Sequence, residues 1–460
     1  MINQVRILRG KLQREQALRL AGEQQVKDLE ERLRVNSTNS SLPPSANPPW
    51  APKPAKKPPT GRKRGAQPGH KGHGRKLLPP EQVDHRVEYR PTVCERCQAS
   101  LKKQPGELVG RHQVAEMPPR AVEITEHQSF ACRCGVCGMV NRGVIPQAVQ
   151  ASSFGPRLSG AIGVLSAVVH GSRRAVEGVV RDVLGCPIAL GSISAREREL
   201  SDALKGPYGQ LATEVSQAKV KYADETSWYR KSVEEYLFVA ASYSAAVFRI
   251  EKTGTRSSLK KLLPGKLRGV FCTDRASIYD MLPLSRRGLC WAHLKRDFVR
   301  CVERGGASEA VGKAGREVCR EVFRLWREFG EGKITRLALQ TMVEPLRKKM
   351  HKVLEDGAAL GIKRTSGFCS SLLKREQAMW NWAKIPGLEP TNNLAERMLR
   401  PAVIWRKKSF GSDSRGGCVF VERMMSVIQT MKLRKQNLLD YLTRVLVAQR
   451  AGLPVPGPAP

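Results

Sequence analysis

The chain has 460 residues, with 79 Lys and Arg against 42 Asp and Glu, and a formal charge of +37. That length allows several domains and a sizeable core, and the cation excess requires a polyanionic partner, most simply a nucleic acid, with an anionic membrane surface as the alternative. The absence of a signal peptide and of about eighteen consecutive apolar residues argues for a cytoplasmic chain with no membrane partner, in which twelve cysteines point to metal binding and free thiols rather than disulfides.

Residues 1–35 read as a helix. Val5, Leu8, Leu12, Val26, Leu29 and Leu33 share one heptad phase, which Glu15, Arg19 and Gly22 interrupt. The segment is either a short, imperfect coiled coil for self-association or an amphipathic helix packed on its own chain. Residues 36–82 read as a basic, disordered linker. Within it Lys53–Lys76 carries nine Lys or Arg and no acid. This run, with Arg62, Lys63 and Arg64 at its centre, suits phosphate contact; a solvated tether is compatible with that role.

Residues 83–150 hold Cys94-x2-Cys97 and Cys134-x2-Cys137, whose four thiolates form a closed, structural Zn²⁺ site. The 36 residues between the pairs exceed the usual ribbon spacing. A β-rich insert at Val122–Phe130 is expected to bring them together, and Cys132 can replace Cys134. Residues 151–217 read as helical. Arg173–Leu184, a turn at Gly185–Ser192 and Ile193–Leu204 make either a DNA-reading helix-turn-helix or a packing module.

Between 218 and 285 the pattern changes to strands. Val220, Tyr222 and Asp224 alternate; Tyr236–Tyr243, Ala246–Glu251 and Arg268–Asp274 follow. The first and fourth strands are expected to end on Asp224 and Asp274. As neighbours, two such carboxylates offer oxygen ligands to a divalent cation; otherwise each simply faces water. Residues 286–389 read as helical and open on Cys290-x2-His293, which can bind metal, contact DNA or pack. Trp380 and Trp382 stack on a base or anchor the core. Residues 390–450 begin with PTNNLAERMLRP, where Thr391 or Asn392 caps a helix and Glu396 falls in its first turns. Glu422 competes with Glu396 as a third acid. Arg397, Arg400, Arg406, Lys407 and Lys408 beside Glu396 suit a phosphate strand. Residues 451–460 read as a disordered tail.

ADETSW, TDRASIYD, LCWAHLKRDF, PTNNLAERMLRP and IWRKKSFGS, in that order, resemble the IS66 family of bacterial insertion-sequence transposases. NSSLPPSANPP also resembles a segment of that family, and Cys290-x2-His293 resembles a signature that several DDE superfamilies carry after the second Asp. The resemblance implies a multidomain α/β chain whose ribonuclease H-like core is split by a helical insertion. It implies Asp224, Asp274 and Glu396 (in preference to Glu422) as a DDE triad binding Mg²⁺ or Mn²⁺. It also implies a zinc-binding domain, cleavage and transfer of DNA strands at terminal inverted repeats, and a target DNA. Two small accessory proteins, a homo-oligomer and a nucleoid-associated location in the bacterial cytoplasm complete that expectation. A nuclease without strand transfer and a zinc-containing DNA-binding protein without catalysis are the alternatives. A serine or tyrosine recombinase would need a clustered nucleophile-and-arginine motif, which is not found.

Overall fold

A computed structural model describes residues 77–458 except 103, 104, 106, 116, 119, 120, 138 and 151, together with single helical positions at 15, 19, 22 and 26. The expected coiled coil and the run containing Arg62, Lys63 and Arg64 lie outside the described residues. The described chain divides between residues 123 and 124 into two compact units.

In the first unit no described residue is buried. Its order comes from polar contacts. The Leu78 amide donates to Gln113 (2.8 Å), and Arg111 and Gln113 both donate to the Leu78 carbonyl (2.9 Å). A bridge between Val93 and Ser100 closes the turn that carries Cys94 and Cys97.

The second unit begins with a hairpin, β1 (Ala131–Arg133) and β2 (Val140–Arg142), around Cys134 and Cys137. Val122–Phe130, expected to be β-rich, is irregular; it meets the end of that hairpin at Gly143, whose amide donates to the Phe130 carbonyl (2.9 Å) and whose carbonyl accepts from the Ser129 hydroxyl (2.6 Å). After a single helical turn at Gln147–Gln150 come four longer helices: α1 (Pro156–Ala167), α2 (Arg173–Asp182), α3 (Leu190–Ala203) and α4 (Lys205–Gln217). Ser172 caps α2, its hydroxyl accepting from the Ala175 amide at 3.2 Å. Ile162, Val176, Val180, Ile188 and Ile193 give this region a small core of its own. α3 starts at Leu190, three residues before the expected Ile193, so Ser192 lies in its first turn.

The central sheet contains β3 (Val220–Arg230), β4 (Val233–Ala241), β5 (Ala246–Glu251), β6 (Val270–Thr273) and β7 (Arg287–Leu289), in the spatial order β5-β4-β3-β6-β7. β3, β4 and β5 form an antiparallel meander; β6 and β7 run parallel to β3. Helix α5 (Arg256–Leu262) joins β5 to β6. β3 does not end on Asp224, as expected, but continues to Arg230. Thr226–Arg230 pair with Val233–Leu237 across a two-residue turn in which Lys231 and Ser232 both have positive φ, 49° and 65°. That turn twists with the strands, so the hairpin extends past the acid.

Between β7 and residue 390 lie α6 (Trp291–Glu303), α7 (Ala307–Gly330), α8 (Arg336–Ala359), α9 (Lys363–Leu373) and α10 (Glu376–Lys384). α11 (Asn393–Ser409), α12 (Arg415–Leu433) and α13 (Leu438–Arg450) close the unit. Trp291, Trp380 and Trp382 are buried core anchors; Trp291 donates its indole proton to the Met379 carbonyl at 2.8 Å and meets Trp380 edge-on. The expected disordered tail instead packs back as far as Pro458. Tyr441 donates to the Pro456 carbonyl (3.1 Å) and Arg434 to the Pro458 carbonyl (2.7 Å). Proline-rich chain has few amides to satisfy, so two donors suffice to hold it. Among the described residues no helix is long and apolar enough to cross a membrane.

The edge strand β5 carries unpaired amides that would be costly to bury. α12 meets them with three side chains spaced four apart. Thr430 accepts from Ala246 (3.1 Å), Ser426 from Phe248 (2.9 Å) and Glu422 from Ile250 (3.0 Å). Four helical residues rise about 6 Å and two strand residues about 6.6 Å, so the two ladders stay in step. Ser426 is fully buried. Ser426→Ala should therefore cost about 1–3 kcal/mol, because the Phe248 amide is left without an acceptor. Chemical denaturation measures this; an unchanged midpoint would show that the amide finds another acceptor.

Candidate active site

β3 and β6 lie side by side and parallel, with Tyr222 opposite Cys272. Two residues further along each chain come Asp224 and Asp274. Side chains alternate with period two, so both acids leave the sheet on the face that Tyr222 and Cys272 share. β6 stops at Thr273, and the chain turns as Asp274 accepts the Ala276 amide at 2.9 Å. Fully buried Arg287 of β7 holds this turn. It donates to the Thr273 hydroxyl (3.1 Å) and to the carbonyls of Asp274 (3.0 Å) and Ala276 (3.3 Å), and it pairs with Asp280 at 2.6 Å.

Glu396 arrives from the first turn of α11. The long helical excursion leaves and returns at one place. The Cys290 amide donates to Thr273 (2.9 Å), the Trp291 amide to the Pro390 carbonyl (2.8 Å) and the Asn392 amide to the Cys290 sulfur (3.2 Å). Asn392 occupies the cap position of α11, but neither it nor Thr391 caps with its side chain. The Asn392 side-chain amide instead donates to the Ala223 carbonyl at 2.8 Å, tying the helix start to the residue before Asp224.

The three carboxyls are each largely buried, and Asp224 and Glu396 both feel the charge of Asp274. Burial, then the charges of Asp274 and Glu225, hold the Asp224 carboxyl well above its ordinary value, with Glu396 adding to it. Burial raises Asp274 against the opposing Ala276 amide and the Arg287 and Arg275 charges. Burial also raises Glu396, opposed by Arg296 and reinforced by Asp274. Glu396 Oε1 is buried without a hydrogen-bond partner. Carboxylate oxygens are the ligands a hard divalent cation takes, and its charge would oppose the rise that burial imposes; as placed, the three acids do not form a set of ligand atoms within 4.8 Å of one another.

Cys290 and His293 stand directly behind Glu396. The Cys290 sulfur, a His293 ring nitrogen and a Glu396 oxygen lie within 4.8 Å of one another, with His293 Nδ1 3.5 Å from Glu396 Oε1. Burial, helped by Arg296 and Arg300, pulls the imidazole down to about 4. Burial pushes the Cys290 thiol up to about 11, against amide bonds from Asn392 and His293. Both groups are thus neutral near pH 7. Glu225, beside Asp224, escaped the sequence reading although it sits in the same ADETSW run. Burial lifts its carboxyl to about 7 against the hydrogen bond that fully buried Tyr279 donates to it.

Other expected positions lie elsewhere. Glu422 is engaged with Ile250 and with Arg415 (2.9 Å) at the opposite edge of the sheet. Arg397, Arg400, Lys407 and Lys408 are exposed on α11. Arg406 is not available as an open phosphate contact. Its guanidinium reaches back to Thr226 (3.2 Å) and Ser227 of β3, whose polar second half supplies the acceptors.

The two Cys-x2-Cys turns are alike, each taken by itself. The Cys94 amide bonds the Ala99 carbonyl (2.9 Å), and the Cys134 amide the Met139 carbonyl (2.8 Å). Backbone amides of Cys97 and Arg96 lower the Cys94 thiol; those of Cys137 and Val136 lower Cys134. Such turns favour the thiolate that zinc requires.

Comparison with known proteins places this geometry. Residues 154–419, more than half of the chain, match the family described as Transposase IS66 family. The chain belongs to the IS66 transposase family. Residues 2–76 match a family of unknown function (DUF6444). An uncharacterised protein of Sinorhizobium fredii, y4qI, is 29% identical over 171 residues, which cover 36% of this chain and 31% of that protein. The matched IS66 segment contains Asp224, Asp274, Cys290, His293 and Glu396.

The charge crowding has a measurable consequence. Without cation, the folded chain holds protons on these acids that the unfolded chain has released. Its stability should therefore fall as pH rises above the ordinary carboxyl values of 3.8 and 4.5. Mg²⁺ should raise the melting temperature more at pH 7 than at pH 5. Asp224→Asn should raise the metal-free melting temperature at pH 7 and lose the Mg²⁺ response. An undiminished Mg²⁺ response in that variant would remove Asp224 from the cation site.

Proposed function

We propose that this protein is a DNA transposase that cuts at the terminal inverted repeats of its element and joins the freed 3′ ends to target DNA. Asp224, Asp274 and Glu396 are its acidic triad. The observation that carries this reading is the parallel pairing of β3, which bears Asp224, with β6, which Asp274 directly follows, together with Glu396 on the helix after a long helical excursion. The β5-β4-β3-β6-β7 order, antiparallel then parallel, supports a ribonuclease H-like core split by that excursion. The charge of +37 supports a DNA partner.

In cleavage, the oxygen of water forms a bond to phosphorus, the P–O3′ bond breaks, and the leaving 3′ oxygen takes a proton. In joining, the freed 3′ hydroxyl takes the place of water. Mg²⁺ or Mn²⁺ held by the triad supplies activation of the attacking oxygen and neutralisation of charge at phosphorus. The chain's own contribution is position. Asn392 sets the start of α11 against β3, Arg287 shapes the turn after Asp274, and His293 and Cys290 back the Glu396 carboxylate. Arg397, Arg400, Lys407 and Lys408 neutralise neighbouring phosphates. No side chain needs to attack the DNA.

Asp224→Asn, Asp274→Asn and Glu396→Gln should each reduce cleavage and joining to background while DNA affinity stays near wild type. Glu422→Gln keeps an acceptor for Ile250 and should still cleave. Purified Glu396→Gln protein that joins DNA at the wild-type rate would sink the triad. Cleavage without joining by the native protein would instead favour a nuclease.

The sequence spacing suggests a structural zinc with thiolate ligands Cys94, Cys97, Cys134 and Cys137, and each cysteine turn, taken by itself, favours the thiolate form. Metal analysis of fresh protein should find about one Zn²⁺ per chain, lost in a Cys94→Ser, Cys97→Ser variant. With no apolar burial in its region, that variant should also become protease-sensitive between 77 and 123. Zinc-free wild-type protein that resists protease equally well would exclude a structural zinc.

A further inference from the structure

Arg275 directly follows Asp274, and its side chain points into a cleft of about 240 Å³ between the end of α6 and the start of α9. Arg300, Arg304 and Arg364 line the same cleft with Asp297, Gly367 and Phe368. Four guanidiniums face one carboxylate, which leaves three formal positive charges. Asp297 does not neutralise the set; it orients it, pairing with Arg275 at 3.2 Å and Arg300 at 3.0 Å. Arg304 is steadied by the Thr365 hydroxyl at 3.2 Å.

We propose that this cleft is a second phosphate-binding subsite, which holds a DNA phosphodiester next to the one being cut and does so without reading bases. The inference rests on the DNA reading above and adds residues that the triad does not use. Guanidinium forks match phosphate oxygens in charge and geometry. Arg275, the residue after Asp274, pairs with Asp297 at 3.2 Å, and both line the cleft, which ties it to the turn that bears Asp274. Its one aromatic wall, Phe368, is buried and already engaged. Arg275 lies over the ring, 5.3 Å from its centre, and Phe298 meets it edge-on at 5.2 Å. Phosphate contact alone fixes register and carries no sequence preference.

Gly367 allows a direct test, because a side chain added there meets nothing within 4 Å and enters open cleft. Gly367→Glu places an acid among the arginines and should not lower the melting temperature, since glycine is the poorer helix residue. Gly367→Ala is the control, with binding unchanged. Arg364→Gln removes one exposed cation. Binding is measured by salt titration on short duplexes of two unrelated sequences. Gly367→Glu and Arg364→Gln should each weaken binding about tenfold at low salt. Each should also flatten the slope of log affinity against log salt by about one, equally on both duplexes. Wild-type affinity and slope in both variants would overturn the proposal, and so would a loss confined to one sequence. If the native protein cuts no DNA with Mg²⁺ but the variants still flatten the slope, the cleft stands and the transposase reading fails.

Discussion

The parallel pairing of β3 with β6 is the constraint on which the site depends. One register, Tyr222 opposite Cys272, sets both acids at once. A slip of one residue would send Asp274 to the opposite face and separate the pair. The register is held from outside the strands as well as between them. Arg287 grips the turn after β6 from β7, and Asn392 grips β3 one residue before Asp224. Two buried polar side chains thus spend their hydrogen bonds on backbone carbonyls that flank the acids. Replacing either with an apolar group would free a carbonyl in a place water does not reach.

The same logic explains how a helical excursion of about a hundred positions is compatible with a precise site. Its first residues, Cys290 and Trp291, bond to Thr273 and Pro390, and its last lead into Asn392. The ends are therefore fixed to one another and to the strand that bears Asp274. The cost of closing a long loop grows only slowly with its length, and these helices also bury Phe298, Val318 and Met350 in a core continuous with that of the sheet. Glu396 is thus close to Asp274 in space because both ends of the excursion share a single anchor.

Part of this is legible in the sequence, because β3 leaves an alternation at Val220, Tyr222 and Asp224, and β6 an apolar run that ends before Asp274. The helix carrying Glu396 was legible from its cap-like Asn392 and its apolar spacing, although Asn392 acts on β3 rather than as a cap. What stayed hidden depends on distant partners. β3 continues through Thr226–Arg230, a run with buried Trp228 whose Thr226 and Ser227 look like loop until β4 and Arg406 supply their partners. Buried Arg287 resembles any surface arginine until Asp280, Thr273 and Asp274 surround it. The arginine cleft draws on Arg275, Arg300 and Arg364, which lie on three separate elements. In a chain with 79 basic residues, no local pattern singles them out.

The acids and the arginines also divide the electrostatic work. Gathering Asp224, Asp274 and Glu396 in a buried site opposes folding of the cation-free chain, as their raised carboxyls show. Surrounding cations could have relieved this by pairing with them directly, but such pairs would compete with a metal ion for the same oxygens. The nearby arginines are instead directed elsewhere. Arg287 binds Asp280 and carbonyls, Arg275 pairs with Asp297, and Arg406 turns to Thr226 and Ser227. On the proposed reading, a divalent cation held by these acids would oppose the rise that burial imposes on them and so stabilise the folded chain.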